Sequence, residues 1–313
     1  MHPSPCSTLA LVIAGGPCAL LAACALRSGA RADVFVVEAP CRATVHLLPT
    51  RALARLPPEA ADALHAHGAA TPDGGALCVE AAKLRSVLLS CIPSAARLEG
   101  RVTGFSQEAA GVHVRLEGRA GRRSQRKVHC AALVGAGGAS CAVRAALLGA
   151  APAGKLALWR GVSTHAGDTW QQGPTFARDA GGACVGAAVT LGDRIHWCLL
   201  APPQPPRAVN GEAAREALAA AAAPWPSLAA AVASTPSAAL SCEPFPEPRG
   251  CPLRAQGSVL LMGQAARGAA SAAMDDLADT YADCSVLMHA LAEYTPGDMV
   301  SAAAAYAAAA FHD

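Results

Sequence analysis

The stretch from Leu9 to Glu38, LALVIAGGPCALLAACALRSGARADVFVVE, constrains the fold more than any other part of the chain. Leu9 to Ile13 is a short apolar run with the length of a buried parallel strand. Ala14-Gly15-Gly16-Pro17-Cys18-Ala19 forms a turn with little side-chain bulk, and Cys18 to Arg27 is small and apolar, suited to a helix packed close on a sheet. Asp33 to Val37 is a second apolar strand with Glu38 at its end. Strand, tight turn, helix and strand make the layout of a dinucleotide-binding βαβ unit. A bare turn lets backbone N–H groups and the helix N-terminus approach a pyrophosphate, and a carboxylate about 20 residues on accepts hydrogen bonds from a ribose. Gly16 and Glu38 have that spacing. Against G-x-G-x-x-G/A the chain gives Ala14, Gly16 and Ala19, so the first glycine is missing.

A second reading of the same residues is a secretory signal. Leu9 to Leu26 is apolar, and Leu21-Ala22-Ala23-Cys24 resembles a lipoprotein cleavage box. The preceding MHPSPCST carries no Lys or Arg, whereas a signal has a positive n-region. Gly15-Gly16-Pro17 also suits a turn better than an uninterrupted helix, and the strand ending in Glu38 is left unexplained.

At 313 residues with 53% hydrophobic and 15% charged residues, the chain can bury a large core in one large domain or two modest ones. A net charge of +2 implies no particular affinity for nucleic acid or anionic membranes. No apolar run reaches a membrane-span length without Gly, Pro or charge. The 13 cysteines are odd in number, with no C-x-x-C pair, which argues against zinc and against a disulfide framework. They read as small buried hydrophobes, implying a cytoplasmic or another reducing compartment. His65-Ala66-His67 reads as a surface feature at a helix end, so no metal site is expected.

Along the chain, Arg42 to Gly68 has Leu-rich segments broken by Pro57-Pro58, consistent with two short helices, and Glu80 to Ile92 has helical spacing. Arg42, four residues beyond Glu38, either reaches a phosphate or is simply solvated. Arg101 to Phe105, Val112 to Leu116 and Lys127 to Val134 read as strands, with the basic run Arg119 to Lys127 as a solvated hairpin tip. Leu156 to Val162, Ala187 to Leu191 and Arg194 to Leu200 read as strands of a second lobe. Glu212 to Ala223 reads as a helix, with another following Trp225, and Pro202 to Pro206 and Pro244 to Pro252 read as loops. Ser258 to Met262 is a buried strand, followed by helices over Leu277 to Glu293 and Gly297 to Phe311.

Four separated motifs then match one family in order. Ala14 to Leu20 corresponds to G-x-G-P-x-G-L, Gly135 to Arg144 to G-A-D-G-x-x-S-x-V-R, Leu261 to Arg267 to L-x-G-D-A-A-H, and Asp283 to Leu287 to the Asp-led helix that follows. The chain resembles the single-component FAD-dependent aromatic monooxygenases typified by para-hydroxybenzoate hydroxylase and kynurenine monooxygenase. Trp159-Arg160-Gly161 fits the start of that family's substrate lobe. The resemblance implies an α/β fold, with a Rossmann-like FAD-binding domain from 1–151 and 251–313 and an inserted smaller α+β substrate domain over 152–250. It implies FAD as cofactor, NAD(P)H as a transient reductant and a small aromatic substrate between the lobes. It implies no catalytic side-chain set, since the chemistry is the flavin's. The cofactor-binding residues it implies are Ala14, Gly15, Gly16, Pro17, Cys18, Ala19, Glu38, Arg42, Gly263 and Gln264.

Several family positions are altered. Gly137 stands for the middle motif's Asp, Cys141 for its Ser, Gln264 for the Asp on the ribityl chain, Arg267 for the following His and Ala81 for an Arg before Leu84. Met274-Asp275-Asp276 replaces the Gly-Gln-Gly turn beside the flavin ring. Neutral Gln264 and bare Gly137 together weaken FAD about ten- to hundredfold without forbidding it. The alternative is a relative that keeps the fold for nucleotide or partner binding without catalysis.

Overall fold

The computed structural model describes residues 9–29, 32–39, 43–118, 125–149, 153–164, 173–203, 211–246, 253–267, 275–293 and 298–309. Its architecture is mixed α/β, a parallel sheet with additional antiparallel sheets. The central sheet has six strands in the order Ala255–Gln256, Val259–Leu261, Ala132–Gly135, Leu9–Gly15, Ala32–Glu38 and Arg97–Leu98. All neighbours pair in parallel except the first two. From Leu9–Gly15 the chain passes through the helix Pro17–Gly29 to Ala32–Glu38 on one side, and later returns to Ala132–Gly135 on the other. That reversal is a topological switch point, where the carboxyl ends of the two strands diverge and a crevice opens.

Leu9–Gly15 is apolar on both faces because both are covered. Leu11 and Ile13 pack into a core with the helices Pro17–Gly29, Ala81–Ser90, Ala278–Glu293 and Met299–Ala309. Val12 and Ala14 enter a second core with Val112, Val114 and Leu116 of a three-stranded antiparallel sheet and Val143 of the helix Ala142–Leu148.

A separate five-stranded antiparallel sheet is ordered Thr175–Arg178, Cys184–Leu191, Arg194–Ala201, Ala153–Thr164 and Ser241–Pro246. The helices Glu212–Ala221 and Pro226–Ala233 cover one face, burying Trp159, Trp197 and Leu199 against Leu218, Leu228 and Val232. The Trp197 indole donates to Thr235 Oγ1 at 2.7 Å, which satisfies its polar end. The opposite face meets a four-stranded sheet of Asp275–Asp276, Val45–Pro49, Ala76–Glu80 and Ala69–Ala70, through Val45, Leu47 and Cys78 against Leu158, Val189 and Cys198.

Three expectations are corrected. The first of the two helices expected within Arg42 to Gly68 is mainly the strand Val45–Pro49, with only the single turn Thr50–Leu53 helical. It pairs antiparallel with Ala76–Glu80, and that long-range partner overrides the Leu-rich composition. The run Lys127 to Val134 is two strands, Gln125–Cys130 in the three-stranded sheet and Ala132–Gly135 in the parallel sheet. Pro244 lies in a strand, not a loop, opposite Ala157. Ser241–Pro246 is an edge strand, one of the places in a sheet that tolerates proline. Arg42, the basic segment 119–124 and Met274 lie outside the described residues. His65 and His67 are exposed at the end of Pro58–His67. None of the ten described cysteines is in a disulfide. Among the described residues no helix is long and apolar enough to cross a membrane, and no His/Cys/Asp/Glu group is arranged to hold a metal ion.

Candidate functional site

The expected phosphate turn sits at the switch point. Leu9–Gly15 ends in register with its neighbours, Ala14 beside Gly135 and Gly15 beside Glu38. The Gly16 carbonyl accepts from Ala19 N at 2.9 Å and Leu20 N at 3.2 Å, which starts the helix. Pro17 occupies its first position, where a missing N–H costs nothing. Gly16 and Cys18 are half-buried, whereas Ala14, Gly15 and Ala19 are buried.

The close backbone approach falls on Gly15. A Cβ there would collide with the Ala136 carbonyl oxygen and lie 2.8 Å from Gly137 N. The Ala14 side chain instead points into the second core, and Ala19 packs into the first. The missing first glycine is therefore filled by a methyl group with its own packing, and at Gly15 backbone lies directly against the backbone of Ala136 and Gly137.

Glu38 stands at the mouth, but sequence reasoning missed its partner. Arg85, on the helix Ala81–Ser90, grips the carboxylate through both oxygens, with Nη2 2.7 Å from Oε2 and Nε on Oε1. The hydrogen bond to Glu38 raises the Arg85 guanidinium above its ordinary pKa, and Glu38 retains 18% exposure. The two residues lie 47 positions apart, so no local pattern announces the pair. Because Arg85 is 47% exposed, Arg85→Ala is expected to change stability by less than about 1 kcal/mol, measured by urea unfolding.

A third turn faces this crevice from the next strand. Gly263, after Val259–Leu261, has φ +57°, and a Cβ there would collide with Thr280 Oγ1. Gln264 begins the single helical turn Gln264–Arg267, and a Cβ at Gly138 would lie 3.7 Å from its amide oxygen. Arg144 Nη1 donates to the Ala265 carbonyl at 2.7 Å, so the middle and third motifs are tied together. The carboxyl ends of four adjacent strands thus bring together Ala14 to Ala19, Glu38, Gly135 to Gly138 and Gly263-Gln264.

Asp283 holds the third turn in place. Its carboxylate is buried and accepts from Gly263 N at 2.6 Å, Arg254 Nη1 at 3.2 Å, and Arg267 Nη1 and Nη2 at 2.8 and 2.9 Å. Burial alone would depress the Arg267 guanidinium, but Asp283 holds it above its ordinary value. The sequence marked Asp283 only as a motif match; its cationic partners were not foreseen. Bare backbone at Gly15 and Gly16 and the carboxylate of Glu38 thus come together at the carboxyl ends of these strands.

This is the fold of the FAD-dependent monooxygenases. The chain is similar to HpxO of Klebsiella pneumoniae complexed with FAD and uric acid, at 17% identity and TM-score 0.65 over 95% of this chain and 83% of that one. It is similar to 2,6-dihydroxypyridine-3-hydroxylase from Arthrobacter nicotinovorans, at 15% identity and TM-score 0.66 over 99% of this chain and 89% of that one. It is also similar to CtdE in complex with FAD and substrate, at 12% identity and TM-score 0.70 over 95% of this chain and 84% of that one. No protein-family model and no curated protein matches the sequence.

Proposed function

We propose that this protein is an FAD-dependent monooxygenase that hydroxylates a small aromatic ring, with NAD(P)H as reductant and O2 as the oxygen source. The reading rests on the backbone-lined crevice at the switch point of a fold shared with FAD-bound structures. Residues 1–151 and 251–313 form the cofactor domain in this reading, and 152–250 roof the substrate. Gly15 and Gly16 let the backbone approach the pyrophosphate, and the N-terminus of Pro17–Gly29 favours its charge. Glu38 shares its carboxylate between Arg85 and a ribose hydroxyl. The Gln264 amide oxygen accepts from the ribityl chain, and Asp283 keeps the Gly263 turn in position for it. When bound, the flavin supplies the redox and oxygen-transfer chemistry, and the chain supplies orientation and water exclusion.

Titrating FAD into the purified protein is expected to shift the flavin absorbance bands saturably. Excess FAD at about 100 times Kd adds about 2.7 kcal/mol of stability. An unchanged flavin spectrum at saturating protein would end the proposal. Flavin binding without oxygen-dependent NAD(P)H consumption, whichever aromatic ring is added, would leave the non-catalytic alternative standing instead.

A further inference from the structure

We propose that His196 is the ligand-orienting residue of the second lobe, and that it selects an uncharged hydroxy- or oxo-substituted aromatic ring over an aromatic carboxylate. This rests on the monooxygenase reading above and names its substrate class.

Along Arg194–Ala201, Ile195, Trp197 and Leu199 pack under the helices. Cys198 belongs to the opposite face, toward the four-stranded sheet, and His196 shares that face by alternation. Its neighbours in register are Val162 and Val189, which offer no side-chain partner. His196 is only 3% exposed, yet among the described residues neither Nδ1 nor Nε2 has a hydrogen-bond partner. Leaving a buried polar group unpaired is destabilising, and most such groups in folded proteins are paired. An imidazole with both nitrogens open, on the face that looks toward the cofactor lobe, is supplied with a partner when a ligand arrives.

The surrounding charge fixes the ligand class. Burial holds the imidazole below its ordinary pKa, with Glu80 opposing and Arg194 reinforcing that shift. The ring is therefore neutral at pH 7 and offers one donor and one acceptor. Arg160, opposite Cys198 on the same face, is already salt-bridged to Glu243. Glu80, in register with Val45 on the facing sheet, acts on the ring electrostatically. Two carboxylates, Glu80 and Glu243, stand here with two guanidiniums, and both cations already have an acidic partner, Arg160 in Glu243 and Arg194 in Asp193 at 4.0 Å. An incoming carboxylate thus finds only cations already committed to other acids, whereas a phenol or lactam pairs with the imidazole without a charge of its own.

The test uses full-length protein labelled with 15N-histidine. Phenol, 2,6-dihydroxypyridine, 4-hydroxybenzoate and toluene are titrated while the His196 ring signals, assigned from His196→Gln, are followed. Phenol and 2,6-dihydroxypyridine are expected to move those signals saturably. His196→Leu should weaken both about tenfold, and His196→Gln, which keeps a donor and an acceptor, by less than about threefold. Toluene should bind wild type and His196→Leu alike, and 4-hydroxybenzoate should bind more weakly than phenol. Stationary His196 signals, tighter binding of 4-hydroxybenzoate than phenol, or equal losses for toluene and phenol would each overturn the proposal. The ring signals need neither FAD nor turnover, so failure to bind flavin counts against the monooxygenase reading alone. If His196→Leu does not fold, the wild-type shifts and His196→Gln still decide.

Discussion

Asp283→Ala is expected to cost about 3–5 kcal/mol of folding stability, read from the urea midpoint. The carboxylate is 1% exposed and the side chain of Arg254 9% exposed, so removing Asp283 takes the carboxylate partner from a buried cation. Gly263 N loses its acceptor in the same step, and Arg267 keeps the longer 3.6 Å contact with Asp279. Asp283→Asn keeps an acceptor for Gly263 N but no charge, and should fall between wild type and alanine. The decisive comparison is Arg254→Met on the Asp283→Ala background. If the penalty is an uncompensated buried charge, the second change should restore part of the loss. If it restores nothing, the cost lies in the Gly263 turn and not in the charge. Either way, FAD affinity should fall with Asp283, because Gly263 and Gln264 take their position from it.

The same residue shows where sequence reading reaches and where it stops. The unit from Leu9 to Glu38 was legible because its signals are local: two apolar runs, a bare turn and a small-residue helix follow one another directly. Val45–Pro49 was not, because Leu-rich composition suits helix and strand alike, and only pairing with Ala76–Glu80 decides between them. Lys127 to Val134 reads as one apolar segment, and nothing in it reveals that its halves join different sheets. The site divides in the same way. Glycines and Glu38 could be placed from spacing, but Arg85 on Glu38, Arg254 and Arg267 on Asp283, and the open imidazole of His196 all depend on pieces of chain far apart in sequence. Departures from the family pattern were legible as departures; their consequences needed the packing around them.

Gly15→Ala tests the most consequential of those departures, and the expected result is a loss of about 1–3 kcal/mol from overpacking against Ala136 and Gly137. The two colliding partners are backbone, so relief requires the Leu9–Gly15 and Ala132–Gly135 strands to separate where the crevice begins. FAD affinity is therefore expected to drop at least about tenfold, measured by flavin fluorescence titration at a temperature where the variant is folded. Ala14→Gly is the matched control, since it restores the family glycine. It removes a methyl group buried in the second core and adds chain freedom, so it should cost about 0.5–1 kcal/mol and bring no gain in flavin binding. The opposite pattern, with Gly15→Ala silent and Ala14→Gly tightening FAD, would place the close approach at position 14 and make the missing glycine a defect of the site. In this structure the close approach, to the backbone of Ala136 and Gly137, belongs to Gly15, while the side chain of Ala14 lies in the second core.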